Sequence, residues 1–222
     1  MSIIEKIKSN TLVILAYRAL GKIGFGGTVD YWEKRYQKGG TSGAGSYGEF
    51  AQEKARVING FVKEEGLNNV IEFGCGDGNQ LTMADYPEYL GVDVSKTAIV
   101  ICREKFAGDL TKSFLWHDPN DPNYAEQLPT AELTLSLEVI FHLIEDDIFE
   151  KYMNDLFAHS EKFVLIFSSN YDSTVSAAHV RHRKFTDHVE KYFPNFSLYK
   201  VIEHDQPKSF SEFYIFKIDA NA

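Results

Sequence analysis

Apolar and polar positions follow two rhythms along this chain, and the rhythm changes near residue 69. Ahead of that point the spacing is helical. Asp30-Tyr31-Trp32-Glu33-Lys34-Arg35-Tyr36 predicts one helix. The stretch from Glu49 to Glu65 predicts a second, with Phe50, Ile58, Phe61 and Val62 near helical spacing. Beyond residue 69, short apolar runs alternate with helical patterns. Strands are predicted at 69–73, 88–93, near 113–116, at Glu132–Leu137 and at Phe163–Phe167. Between them come a glycine turn with a short helix, a helix at 95–106 and another at about 145–159. The unbroken apolar run Phe163–Phe167 suits a strand buried on both faces. After an irregular segment, Ser197–Glu203 and Phe210–Lys217 read as a closing strand pair joined by Asp205-Gln206-Pro207. Strands alternating with helices imply a parallel sheet covered on both faces. A terminal hairpin would put one antiparallel strand at the end of that sheet.

The 222 residues suffice for one sizeable α/β domain. Residues 1–48 are expected to form an N-terminal helical arm and lid, and 49–222 the main domain. The stretch Gly39-Gly40-Thr41-Ser42-Gly43-Ala44-Gly45-Ser46-Tyr47-Gly48 is either a linker or a lid over a ligand. Flanking aromatics and Arg35 favour the lid. Residues 2–20 read as an amphipathic helix that packs on the domain or on a partner. Their apolar run is too short to cross a bilayer, and a cleaved signal or surface docking is less favoured. The formal net charge of −9, with no long basic run, disfavours nucleic acid as a partner. Cys75 and Cys102 form no C-x-x-C pair, so structural zinc and a disulfide framework are not expected. A cytoplasmic location fits that cysteine usage.

The chemistry concentrates at Val70-Ile71-Glu72-Phe73-Gly74-Cys75-Gly76-Asp77-Gly78-Asn79. A tight turn straight after a strand needs glycines, for positive φ and for close backbone approach to a ligand. The spacing G-x-G-x-G differs from the G-x-G-x-x-G of a dinucleotide site. Glu72, two residues before the first glycine, would repel a pyrophosphate and attract a cation. Asp93, closing the strand Tyr89-Leu90-Gly91-Val92-Asp93, suits a bidentate hydrogen bond to ribose hydroxyls.

Glu72-x-Gly74-x-Gly76-x-Gly78 resembles the first motif of the class I S-adenosylmethionine (SAM) dependent methyltransferases. Asp93-Val94-Ser95 resembles the second, and Asp118 sits where that family places an adenine-contacting acid. Ser136-Leu137-Glu138-Val139-Ile140-Phe141-His142-Leu143 is similar to the fourth motif of the ubiquinone-type O-methyltransferase branch. The resemblance spans roughly residues 69–217. Three further segments resemble small methyltransferases of bacterial surface-polysaccharide biosynthesis. They are Tyr31-Trp32-x-x-Arg35-Tyr36 with the glycine stretch, the Glu72 motif continued by Asn79-Gln80-Leu81, and His179-Val180-Arg181-His182-Arg183-x-Phe185-Thr186. The family implies a Rossmann-like class I methyltransferase fold: a seven-stranded, mostly parallel sheet with a C-terminal antiparallel hairpin. It also implies SAM as cofactor and S-adenosylhomocysteine (SAH) as product. Glu72, Gly74, Gly76, Gly78, Asn79, Asp93, Val94, Ser95, Asp118 and Arg35 are then the cofactor candidates.

Two polar clusters are candidates for acceptor chemistry. His142 is a candidate general base, with Glu138 to orient it or to touch a ligand, and His179 as an alternative base. Glu145, Asp146 and Asp147 raise the question of a divalent metal, but read more simply as an acidic first helical turn, so no metal is expected. Arg181, His182 and Arg183 suit a clamp on a phosphate or carboxylate, or else a solvated loop paired with local acids. Tyr31, Trp32, Tyr36 and Tyr47 are candidates to stack on a sugar or adenine, or are core. The expected activity is O-methylation of a polar, anionic small acceptor, such as a sugar hydroxyl of a nucleotide sugar or surface glycan, by a monomer or homodimer. A phosphate-type oxygen, N- or C-methylation, an NAD-dependent enzyme and a non-catalytic binding module are the rivals.

Overall fold

The computed structural model describes residues 25–118, 121, 123–173, 177–203 and 209–219. The helix expected at 2–20 and the connection Asp205-Gln206-Pro207 lie outside these residues. Helix α1 (Thr28–Gln37) and helix α2 (Gly48–Glu64) precede the sheet. The strands are β1 (Asn69–Phe73), β2 (Glu88–Asp93), β3 (Lys112–Trp116), β4 (Ala131–Leu137), β5 (Ser160–Ser168), β6 (Phe196–Ile202) and β7 (Glu212–Ile218). Helix α3 (Lys96–Lys105) joins β2 to β3, α4 (Asp146–Ala158) joins β4 to β5, and α5 (Phe185–Tyr192) precedes β6.

These strands form one seven-stranded sheet in the order β3-β2-β1-β4-β5-β7-β6. Pairing is parallel from β3 through β5, and β7 runs antiparallel to both β5 and β6. The antiparallel strand therefore lies one place in from the edge, inserted beside β5, instead of at the end. Phe213, Ile215 and Phe216 explain this, because all three are buried and need cover from both sides. Strand β6, exposed from Ser197 to Val201, takes the edge.

Alternation along each strand divides the core between the two faces. Val70, Leu133, Leu135 and Leu165 pack with Ile58, Phe61 and Val62 of α2 and with Ile99 and Cys102 of α3. Ile71, Phe73, Val164 and Ile166 pack with Met153 and Leu156 of α4 and with Phe185 and Val189 of α5. Each such buried side chain stabilises the fold by about 1.5–3 kcal/mol, so the sheet centre is fixed in register. Helix α5 occupies part of the segment read from sequence as irregular. Its apolar pair Phe185 and Val189, four residues apart, closes the second face over β5 and β7.

The strand order reverses between β1 and β4, and this is the point at which an open α/β sheet forms a crevice beyond the carboxyl ends of its strands. Helix α1 docks beside that crevice. Glu33 accepts hydrogen bonds from Ser95 Oγ (2.6 Å) and Thr97 Oγ1 (2.7 Å) at the start of α3. Thr28 Oγ1 donates to Glu145 Oε2 at 2.6 Å, ahead of α4. Among the described residues no helix is long and apolar enough to cross a membrane.

Candidate active site

The crevice holds a cavity of about 530 Å³, within the size range of small-molecule sites. Glu72, Gly74, Gly76, Asp93, Val94, Glu138 and His142 all line it, together with Trp32 and Tyr36 from α1. Its floor is the turn after β1. There Gly76 has φ 58°, and a Cβ would stand 2.3 Å from Ser42 Oγ and 2.8 Å from Tyr36 OH. Glycine is required at this position by protein packing as well as by backbone conformation. Gly78 lies behind the turn, against Cys102 and Phe106, and does not line the cavity.

Two buried carboxylates flank the turn. Asp93, at the end of β2, accepts from Gly76 N (2.9 Å) on Oδ2 and from Ser95 N (2.8 Å) on Oδ1. Each oxygen keeps acceptor capacity for a further donor. Burial pushes this carboxyl up to about 6, against the pull of those two N–H groups. Glu72 Oε2 accepts from Tyr89 OH at 2.7 Å. Burial pushes Glu72 up to about 7, while the Tyr89 bond and the charge of Lys54 pull it back. Two carboxylates that burial makes reluctant to ionise stand ready for a cation or for hydroxyl donors. Ser95 serves as N-cap of α3, with Oγ accepting from Ala98 N at 3.1 Å. Asp118 does not line the cavity; His117, one residue earlier, does. The His117 ring stacks on Tyr124 at 3.9 Å, and its Nε2 is buried without a hydrogen-bond partner. Gln80 Oε1, from another cavity-lining residue, is likewise unpartnered. Both atoms offer polar contacts to a ligand with heterocyclic and hydroxyl groups.

Ser42, Gly43, Ala44, Gly45 and Ser46 of the glycine stretch line the cavity beside this floor. Asp77 Oδ2 accepts from Ser42 N (2.9 Å) and Tyr47 OH (2.8 Å), and Asp77 N donates to Ser42 Oγ (3.0 Å). Burial opposes ionisation of Asp77, but the donors Ser42, Tyr47 and Asn79 outweigh it and hold its carboxyl below the usual value. Asn79 Nδ2 donates to Ser46 O at 2.6 Å, and Arg35 Nε to Thr41 O at 2.6 Å. Asn79, Tyr47 and Arg35 thus anchor the segment from Thr41 to Tyr47, and none of the three lines the cavity. Tyr36 is buried and lines it, with OH 3.0 Å from Ser42 Oγ. Tyr31 instead stacks on His179, with centroids 4.7 Å apart.

Beyond the floor the walls turn aromatic, with Trp32, Phe50, Phe141 and Phe210 around Glu138 and His142. His142 Nδ1 lies 2.8 Å from His179 O. A carbonyl only accepts, so Nδ1 carries the hydrogen and Nε2 is left as the acceptor. Burial lowers His142 to about 4, keeping it neutral near pH 7. The side chain of His179 stays off the cavity, and its backbone oxygen orients His142.

Of the two readings of the basic block, anion clamp or loop paired with local acids, the contacts of its arginines match the second. Arg181 Nη1 reaches Ile144 O (2.9 Å) and Asp146 Oδ1 (2.9 Å). Arg183 bonds Leu143 O, Ile144 O and Asp146. The two guanidiniums bracket the loop between β4 and α4, and neither lines the cavity. His182 Nδ1 lies 2.7 Å from Ser169 Oγ, with its ring stacked on Tyr171. Of the acidic trio, Glu145 holds Thr28, Asp146 holds the arginines and Asp147 lines the cavity. Among the described residues no group of three or more His, Cys, Asp or Glu is arranged to hold a metal ion.

Sequence reasoning passed over Lys54, Ser42, Asp77 and His117. Lys54 had a visible signal, since it falls on the apolar stripe of α2 with Ala51, Ala55 and Ile58, all buried.

No family model matches the chain. A curated relative, the small RNA 2'-O-methyltransferase of Arabidopsis thaliana, is 26% identical over 122 residues, which is 50% of this chain. The match spans only 13% of that relative's length. Among solved structures, magnesium protoporphyrin IX methyltransferase from Synechocystis PCC 6803 with bound SAH superposes with a TM-score of 0.64 at 14% identity. N-methyltransferase NodS from Bradyrhizobium japonicum WM9, in complex with SAH, does so with a TM-score of 0.65 at 13% identity. Each comparison covers 86% of this chain and 98% of the other. The fold is that of the class I SAM-dependent methyltransferases.

Proposed function

We propose that this chain is a SAM-dependent methyltransferase that methylates an oxygen of a small polar acceptor, with a sugar hydroxyl of a nucleotide sugar or surface glycan as the leading class. One observation carries the cofactor assignment: the buried carboxylates of Glu72 and Asp93 face one cavity from adjacent parallel strands, on either side of a glycine turn. A pyrophosphate would be repelled there. The ammonium and sulfonium of SAM are attracted, and Asp93 has acceptor capacity for two ribose hydroxyls. His117 Nε2 suits a donor on the adenine.

When bound, SAM supplies an electrophilic methyl group whose C–S bond breaks, leaving its electron pair on sulfur, as the new C–O bond forms. His142 Nε2 takes the proton that the acceptor hydroxyl loses. A base lowered to about 4 is weak at rest, so transfer to it is complete only late in bond formation. The lid, held by Asp77, keeps water from the reacting groups. Trp32, Phe141 and Phe210 supply flat surfaces for the apolar face of a sugar ring. The resemblance of the Tyr31 and His179 segments to polysaccharide-modifying enzymes supports that acceptor class.

A ribose 2'-hydroxyl is the second reading, supported by the partial likeness to the small RNA methyltransferase. Both are tested by one mass-spectrometric screen for a gain of one methylene per transfer. Its arms are nucleotide sugars, phosphorylated glycans and short RNAs. Turnover confined to the RNA arm displaces the sugar reading, and no turnover with any oxygen acceptor sinks both.

A further inference from the structure

Lys54 is 1% exposed, and its Nζ lies 2.8 Å from Glu138 Oε2. Glu138 lines the cavity, and it is the one described residue other than glycine with positive φ, at 60°. A non-glycine residue held there costs about 1–2 kcal/mol and persists only where its surroundings impose it. Two contacts do so here: Glu138 N donates to Phe167 O at 2.7 Å, and Lys54 grips the carboxylate. The lid is shaped to the result, since a Cβ on Gly45 would fall 1.9 Å from Glu138 Oε2. The charge of Lys54 also reaches Glu72. A buried cation thus pairs with Glu138 on the cavity wall and acts on Glu72 of the proposed cofactor site, in surroundings that screen charge poorly.

We propose that Lys54 is a positioning residue that holds Glu138 at the cavity wall and offsets the site's negative charge, so that the site does not hold cationic SAM much more tightly than neutral SAH. This rests on the cofactor assignment above. SAM carries one positive charge more than SAH, at the sulfur. Without Lys54, Glu72 and Glu138 would favour the charged cofactor strongly and oppose the loss of its charge during transfer. With Lys54 in place, part of that preference is cancelled before the reaction begins.

The test is calorimetric titration of SAM and of SAH into wild type, Lys54→Met and Glu138→Gln, and it needs no acceptor. Removing the cation should shift the ratio of the two affinities toward SAM by about fivefold or more. Glu138→Gln should shift it toward SAH by a similar factor. A lysine that only packs would change both affinities alike, so an unchanged ratio in a variant that binds both ligands overturns the proposal. If Lys54→Met does not fold, as judged by circular dichroism, the ratio in Glu138→Gln decides alone. Failure of wild type to bind either ligand would instead sink the cofactor assignment, and the wild-type titration shows that before any variant is made.

Discussion

If a cation and ribose hydroxyls bind against Glu72 and Asp93, both carboxyls must be ionised in the complex, and binding must release protons. Near their raised values of about 7 and about 6, the free protein carries protons on both at mildly acid pH. At pH 6 Glu72 holds about 0.9 proton and Asp93 about 0.5, so about 1.4 protons leave per ligand bound. At pH 7 the release falls to about 0.6, and by pH 8 to about 0.1. SAM affinity should therefore be about 20-fold weaker at pH 6 than at pH 8, or roughly 1.8 kcal/mol. Calorimetry in buffer pairs of different ionisation enthalpy reads the proton count directly. Glu72→Gln removes the larger share and should leave only about a twofold change over the same range. The ligand's own amine titrates identically in both proteins and cancels between them. Affinity that is flat from pH 6 to 8 in wild type, or that falls as steeply in Glu72→Gln, would refute the reasoning.

His142→Ala should leave SAM affinity unchanged and lower turnover on the identified acceptor by about 10²–10⁴-fold; normal turnover would remove it as the base. Gly76→Ala forces a left-handed alanine against Ser42 and Tyr36, so it should destabilise the fold by roughly 2–4 kcal/mol and release the lid, as denaturant melts and hydrogen exchange at residues 41–47 would read. Burial lowers both His142 and His117 to about 4, so each stays neutral in the folded state where the unfolded chain is already protonated. Their stabilisation is complete above about pH 6.5 and is lost as pH falls toward 4, by at most about 3 kcal/mol each. Glu72 and Asp93 act with the opposite sign, because their folded values are raised: their contribution is fully present below about pH 4 and is lost as pH climbs to about 6 for Asp93 and about 7 for Glu72. These windows overlap between about pH 4 and 7, so the two opposed pairs largely cancel in the ligand-free wild type; in Glu72→Gln the melting temperature should rise with pH across that span more steeply than in wild type, and identical profiles would contradict the Glu72 assignment.

The sheet from β1 to β5 was legible because strands buried on both faces leave unbroken apolar runs between helical stretches, and Phe163–Phe167 is the clearest case. The floor of the site was legible too, since Glu72, the alternate glycines and Asp93 are local features whose spacing carries their geometry. What stayed hidden depends on partners distant in sequence. Arg181 and Arg183 look free for an anion until the carbonyls of Leu143 and Ile144 are placed beside them. Lys54 reads as one more helix lysine until Glu138 arrives from a residue 84 positions away. The insertion of β7 beside β5 follows from burial of Phe213 and Ile215 on a covered face, which a hairpin pattern alone does not specify. Helix α5 is only 8 residues long, with two apolar anchors, too short for its period to stand out.

The most direct check on the whole account is a crystal structure of the protein grown with SAH. The expected density runs along the turn from Gly74 to Gly76, with the ribose hydroxyls on the Asp93 carboxylate and the sulfur directed toward Glu138 and His142. A protein that refuses SAH at millimolar concentration, or a ligand held elsewhere with Asp93 untouched, would contradict it.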